Sequence, residues 1–409
     1  MSPPSPSLFL LDSLVHTGQG IQGRLLSSGE KLAFGFAENH YANPVLQDLV
    51  LEAKLAGAPD LSSLILRGSC RYTSINNVDK DLIVMRSAFP RVNHRPVFLI
   101  YDASDRSLHM IPSMPPSYRP VRTGRVLIAR SHDDDPAYTL VFPGQEFVSS
   151  DEVNAQYQDV LFLSESSSTS PWQKAKKFKF PDHLRSEKSN FFAEEVFSSH
   201  GRGYWVDLLW GGMCCDCSDI LSDDIDPVVF RSFDLPVGCQ KYLGIREDIA
   251  EARAFRAMGP VGDSIKFVSI DGYLELIDFK DCKVRIWTLM EDMNWAVEYE
   301  LSLMSLWEGV EFKGDLLPRQ LAPMYPFLSR EEDHVVYFAL GNYTRGEKNC
   351  FPTDPRCMLR VDLHSQTFNC TELHHWRGTS MASLLALSGN VEDKLLGLPA
   401  KRKLPTISG

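Results

Sequence analysis

The chain has 409 residues, 44% hydrophobic and 23% charged, with a formal net charge of −11. That composition suits a globular fold with a large core, and the acidic balance argues against general nucleic-acid binding, which needs clustered Lys and Arg. No apolar run reaches the roughly 18–20 residues of a membrane helix, so no membrane insertion is expected.

Residues 1–19 begin "MSPPSPS". Ser and Pro there predict a short disordered arm, and the missing basic start argues against a signal peptide. Apolar or alternating runs of strand length then follow at 49–56, 63–68, 82–87, 96–102, 125–131 and 138–144. More occupy 159–166, 265–271, 273–279, 283–289, 334–340 and 357–363. Each is rich in β-branched or aromatic residues and bounded by turn formers. A helix is predicted over 248–259, stopped by Gly259, with a weaker helical signal over 153–160. The stretches 164–170, 186–190 and 222–227 read as exposed connections, and 391–409 as a disordered basic tail. Lys401, Arg402 and Lys403 form a minimal nuclear signal at most.

Four segments share one grammar: an apolar strand ending in Asp, a short turn, then a second strand. The aspartates are Asp102, Asp207, Asp271 and Asp362. Their separations suit blades of about 40–50 residues. A carboxylate at a strand end can accept N–H groups of the next turn, so these residues are expected to cap hairpins. The fold expected is all-β: a single β-propeller over 20–390 with about six or seven four-stranded blades.

The thiols are the first chemical candidates. Cys214, Cys215 and Cys217 sit within "GYWVDLLWGGMCCDC". On an extended strand Cys215 and Cys217 share one face and Cys214 takes the other. No second close pair completes a zinc site, so they read as packing residues. Nine cysteines at irregular spacing, with no signal peptide, fit free thiols in a reducing compartment. A cytoplasmic location follows, with nuclear access if the basic tail is read. No His-Glu-x-x-His, Gly-x-Ser-x-Gly or phosphate-loop motif is present. "HDDDP" at 132–136 reads as a solvated turn, and Lys174, Lys176, Lys177 and Lys179 as a charged edge strand. No metal, cofactor or catalytic residue is expected.

The span "WVDLLWGGMCCD" with "VRIWTLMEDMNWAVEYELSLMSLW" resembles a plant family catalogued as domain of unknown function 1618, over about 204–340. The residues carrying the likeness are Trp205, Val206, Asp207, Leu208, Gly211, Cys215 and Asp216, then Trp287, Thr288, Leu289, Trp295 and Trp307. The second block is similar to propeller domains that follow F-boxes in ubiquitin-ligase adaptors. The resemblance implies a propeller and implies no catalytic residues. Trp287, Trp295 and Trp307 read as wedges between blades. The expected function is a non-enzymatic scaffold that binds a protein partner through its loop face. Two alternatives stand beside it: a hydrolase or lyase using carboxylates at the channel, and a zinc-binding adaptor built on the thiols.

Overall fold

The computed structural model describes residues 9–12, 15–17, 22–36, 41–54, 61–92, 96–113, 118–120, 123–132, 135–151, 154–172, 174–185, 191–239, 252–272, 281–305, 321–329, 332–345, 350–372 and 384–387. Six sheets stand around a ring as a six-bladed β-propeller. The strands of each blade are lettered A to D from the channel outward. Blade 2 runs Tyr72–Asp79, Leu82–Ala88, Val97–Asp102 and Ser107–Pro112. Blade 3 runs Leu127–Ala129, Thr139–Asp151, Asn154–Glu165 and Lys174–Lys179. Blade 4 runs Glu195–Ser199, Arg202–Asp207, Gly211–Asp216 and Arg231–Asp234. Blade 5 runs Arg256–Val261, Ser264–Asp271, Lys283–Leu289 and Trp295–Ser302, and blade 6 runs Ala322–Leu328, Val335–Arg345, Cys350–Asp362 and Thr367–Glu372.

Blade 1 closes the ring. Phe9–Asp12 and His16–Thr17 lie parallel to Leu61–Arg67, and Val50–Lys54 and Arg24–Leu25 continue outward. Leu384–Leu387 pairs antiparallel with Phe9–Asp12, so the first and last described strands share one sheet. Both early strands fall inside the stretch expected as a disordered arm; 1–8 and 391–409 lie outside the described residues.

The near-continuous apolar runs follow from this architecture. A blade is covered on both sides, so both faces of a strand are apolar. In Leu82–Ala88, Ile83 and Met85 enter the core shared with blade 1, while Leu82 and Val84 enter the core shared with blade 3. That is the two-residue period of an extended strand.

Not every blade has the four strands expected. Lys31–Ala33 adds a fifth to blade 2, parallel to its D strand, and Val228–Val229 does the same for blade 3. Tyr118–Pro120 flanks the B strand of blade 3. Such additions cover edges that would otherwise present unpaired backbone groups.

Neither expected helix forms where it is described. Ala252–Ala254 is one 3-10 turn, and Arg256–Val261 is the A strand of blade 5. Residues 154–160 belong to the C strand of blade 3. Cross-strand pairing and burial on a sheet override helix propensity in both places.

The inner strands meet at the channel. Asn77 Nδ2 donates to Val126 O at 2.7 Å and to Val196 O at 3.1 Å, tying blades 2, 3 and 4 together. Asn76 donates to Gly124 O at 2.6 Å and accepts from Val126 N at 2.9 Å. The A–B turns of blades 2, 4 and 5 converge on one mouth of the channel, around Lys80, His200 and Gly262. In an antiparallel meander the C–D turns share that side, and the B–C turns take the other.

Candidate functional site

The stretch "GYWVDLLWGGMCCDC" forms the B and C strands of blade 4, joined through Leu208, Leu209 and Trp210. Asp207 ends the B strand and is fully buried. Its Oδ1 accepts Leu209 N at 2.9 Å, and its Oδ2 accepts Phe192 N at 2.7 Å. Gly211 opens the C strand at φ +130, where a Cβ would run into the Phe233 carbonyl oxygen. Both reasons require glycine. Asp216 ends the C strand and pairs with Arg202 Nε at 2.8 Å.

The strand stops at Asp216, so Cys217 is the first residue of the short helix Cys217–Leu221. Cys215 and Cys217 nevertheless share a core with Trp205 between blades 3 and 4, while Cys214 packs between blades 4 and 5. Burial pushes the Cys214 thiol up to about 11, and pushes Cys215 up as well. Among the described residues no three His, Cys, Asp or Glu side chains gather closely enough to hold a metal ion.

Trp205 is fully buried, edge-on to Phe230 at 5.4 Å. Trp287 packs in the core shared by blades 4 and 5. Trp295 binds the same pair of blades together: its Nε1 donates to Asp234 O at 2.7 Å, and its ring meets Phe267 at 5.8 Å. Trp307 lies outside the described residues.

The four recurrent aspartates occupy two different hairpins. Asp207 and Asp271 end B strands, whereas Asp102 and Asp362 end C strands. The first pair therefore stands on one side of the ring and the second on the other. Asp102 accepts Ser104 N at 2.8 Å; Asp362 accepts His364 N at 3.1 Å and Ser365 N at 3.0 Å. For Asp271 the described bonds run to Ser269 Oγ at 2.7 Å and Arg285 Nη1 at 3.0 Å. The four carboxylates do not converge at the channel, which removes the geometric motive for the hydrolase or lyase reading.

Charged groups do meet at the two mouths. On the B–C side, Glu195 lies 3.2 Å from Arg125 Nη1 and 3.2 Å from Arg253 Nε. The Arg253 contact is an ion pair without hydrogen-bond alignment. On the A–B side, Arg130 is held between Asp79 and Asp81, each at 3.2 Å. Beside it Ser199 Oγ meets His200 Nδ1 at 3.0 Å, and His200 Nε2 meets Asp263 at 3.4 Å. That chain sits on exposed turns.

Two lysines were misjudged or missed by pattern. Lys176 is buried: its ammonium donates to the carbonyls of Asp219, Ser222 and Ile225, locking blade 3 to blade 4. Lys266 is also buried and reaches Glu298 at 2.9 Å and Asp333 at 2.8 Å, joining blade 5 to blade 6. Burial would lower its pKa, but these partners raise it. The adjacent Asn76 and Asn77 lie in the largely buried strand Tyr72–Asp79, and nothing local in the sequence marks their bonds to the neighbouring blades.

Two hairpins exceed their blades. In blade 3, Thr139–Asp151 and Asn154–Glu165 have 13 and 12 residues. In blade 6, Val335–Arg345 and Cys350–Asp362 have 11 and 13. Both connect B to C, and blades 3 and 6 are opposite in a ring of six, so the hairpins flank the same mouth.

Residues 205–337 match the model of the family described as "Protein of unknown function (DUF1618)". The DUF1618 segment thus runs from the B strand of blade 4 into the B strand of blade 6. No curated protein matches the chain. Among solved structures, a puromycin-hydrolyzing peptidase of Mycobacterium tuberculosis is 15% identical with a TM-score of 0.34, over 74% of this chain and 39% of that one. The chain therefore spans about two fifths of that peptidase. A D477G ACO/RPE65 chimera is 10% identical, TM-score 0.35, over 95% and 88% of the two chains. A Synechocystis apocarotenoid oxygenase mutant is 11% identical, TM-score 0.33, over 91% and 82%. Likenesses this distant carry nothing about the activity of the DUF1618 segment or of the chain around it.

Proposed function

We propose that the protein is a non-enzymatic interaction scaffold, adaptor-like in the manner of plant F-box-associated propellers, acting in the cytoplasm with access to the nucleus. The observation that carries this reading is the blade 3 hairpin. It holds Phe147, Val148 and Tyr157 in solvent at 47%, 57% and 40% exposure. Phe147 and Tyr157 meet edge to face at 5.8 Å. A bulge between Phe147 and Ser149 turns Val148 outward. Grouped exposed apolar side chains mark interaction sites more than scattered ones do, and aromatic residues dominate binding hot spots. Propeller loops are suited to display such groups.

The experiment has two steps. A partner is captured from native tissue, then recombinant partner and purified chain are titrated together. The double variant Phe147→Ser/Tyr157→Ser is expected to weaken that binding at least about tenfold, as loss of hot-spot aromatics does. Unchanged affinity would remove the hairpin from the interface and overturn the reading.

A further inference from the structure

Arg67, Arg125, Arg130, Arg202, Arg285 and Arg360 each lie within 3.2 Å of a carboxylate oxygen. Arg71, Arg86 and Arg91 differ: among the described residues none of the three has an ion pair or a side-chain hydrogen bond. The register gathers them at one end of blade 2. Arg71 leads into the A strand and donates its backbone N–H to Ala88 O at 2.8 Å. Tyr72 pairs with Ala88 and Ser74 with Arg86, so the Tyr72 and Arg86 side chains share one face. It is the face that Leu82 and Val84 turn toward blade 3. Arg91 lies just past Ala88, in the B–C connection.

Arg71 and Arg91 are exposed and Arg86 is half-buried. The Tyr72 ring among them keeps 47% of its surface in solvent. Two acids at the same mouth are engaged elsewhere: Glu195 is held between Arg125 and Arg253, and Glu194 accepts Leu208 N at 2.8 Å. A half-buried guanidinium with no acid beside it is costly until something meets its charge. Each guanidinium can hold one carboxylate through two parallel N–H donors. Arg and Tyr are also the residue types that carry much of the binding energy at interfaces.

We propose that this end of blade 2 docks a short acidic segment of a protein partner. Arg71, Arg86 and Arg91 take its carboxylates, and an apolar neighbour in the segment rests on the Tyr72 ring. A local positive patch on a chain of net charge −11 attracts a short acidic segment. A nucleic acid, charged along its whole length, runs on over the acidic remainder and is repelled there. The inference rests on the scaffold reading, and the patch lies on the same side of the ring as the Phe147 hairpin.

The test is fluorescence anisotropy of a short labelled peptide of alternating Glu and Ser with one central Phe, titrated with the full chain. Binding is expected, and it weakens as salt shortens the screening length from about 30 Å at 0.01 M to about 8 Å at 0.15 M. Arg71→Glu/Arg91→Glu is expected to cost at least about tenfold, because attraction is replaced by repulsion. Lys177→Glu/Arg231→Glu makes the same change in net charge on the outer strands of blades 3 and 4 and is expected to stay within about twofold. Thermal melts establish that each pair is folded. Should Arg71→Glu/Arg91→Glu melt early, Arg71→Gln/Arg91→Gln carries the test, with an expected loss of at least about fivefold. Absence of peptide binding by the wild type, equal loss in the patch and control pairs, or tighter binding of a single-stranded oligonucleotide than of the peptide overturns the proposal. If the peptide fails while Phe147→Ser/Tyr157→Ser still loses the captured partner, only this inference falls.

Discussion

Asp207 and Phe192 are joined by a 2.7 Å hydrogen bond from the Phe192 N–H to the Asp207 carboxylate, fixing the entry to blade 4 against its own B–C turn. The other carboxylate oxygen holds the Leu209 N–H. Both bonds form at a side chain with no exposed surface. Asp207→Ala is expected to cost about 2–6 kcal/mol, since each of the two donors left without a partner costs about 1–3 kcal/mol. Asp102→Ala, at a solvated turn, should cost under about 1.5 kcal/mol. Urea denaturation of the two variants measures the contrast, and equal losses would refute the distinction.

Gly211 gives a backbone test. Gly211→Ala meets both a left-handed φ and the Phe233 carbonyl oxygen. Destabilisation of about 1–3 kcal/mol or more is expected from strain of this kind. Gly201→Ala, also at positive φ but with open space around its Cβ, should lose less. A smaller shift in denaturation midpoint for Gly211→Ala than for Gly201→Ala would contradict the packing argument.

The thiol cluster should be chemically silent. Burial disfavours the thiolate at both positions, pushing the Cys214 thiol up to about 11 and pushing Cys215 up as well. The thiolate is the nucleophile. Iodoacetamide at pH 7.5 is expected to leave Cys214, Cys215 and Cys217 unlabelled in folded protein and to label all three in urea. Peptide mass mapping reads this directly; rapid labelling of Cys215 in the folded chain would refute it.

Acid should weaken the fold through identifiable carboxylates. The Arg67 hydrogen bond lowers the pKa of Glu52, Lys283 and then Arg285 lower Glu300, and the Ser365 backbone N–H lowers Asp362. A folded-state pKa below the unfolded value adds stability above the ordinary carboxylate range of about 4, and that stability disappears as pH falls through the folded value. Lys266 has the opposite sign: its raised pKa contributes below about 10.4 and is lost as pH climbs past its folded value. Melting temperature should therefore hold from about pH 5 to about 10 and fall on both sides. A melting temperature unchanged between pH 5 and pH 3 would rule out the acid limb.

Much of this fold was readable because propeller strands advertise themselves. Leu82–Ala88 and Val97–Asp102 are apolar on both faces, so their runs were visible without knowing which blade covers which face. The recurrent Asp was also visible, but the hairpin it caps was not. Asp207 and Asp102 end different strands of their blades, and a B–C turn reads like a C–D turn when only local residues are seen. Residues 256–259 looked helical by composition and form an inner strand because blades 4 and 6 enclose them. Lys176 reads as part of a charged edge strand, and its burial is missed for a related reason. Its three carbonyl partners lie 43 to 49 residues away, beyond any local pattern.

The pairing of Phe9–Asp12 with Leu384–Leu387 sets an order on assembly. On the ribosome the first of these strands emerges before any blade is complete, and its antiparallel partner emerges after all the other described strands. Throughout synthesis the nascent ring is an open arc with one exposed flank at each end. A truncated product that lacks Leu384–Leu387 has the edge of Phe9–Asp12 left for another chain to occupy.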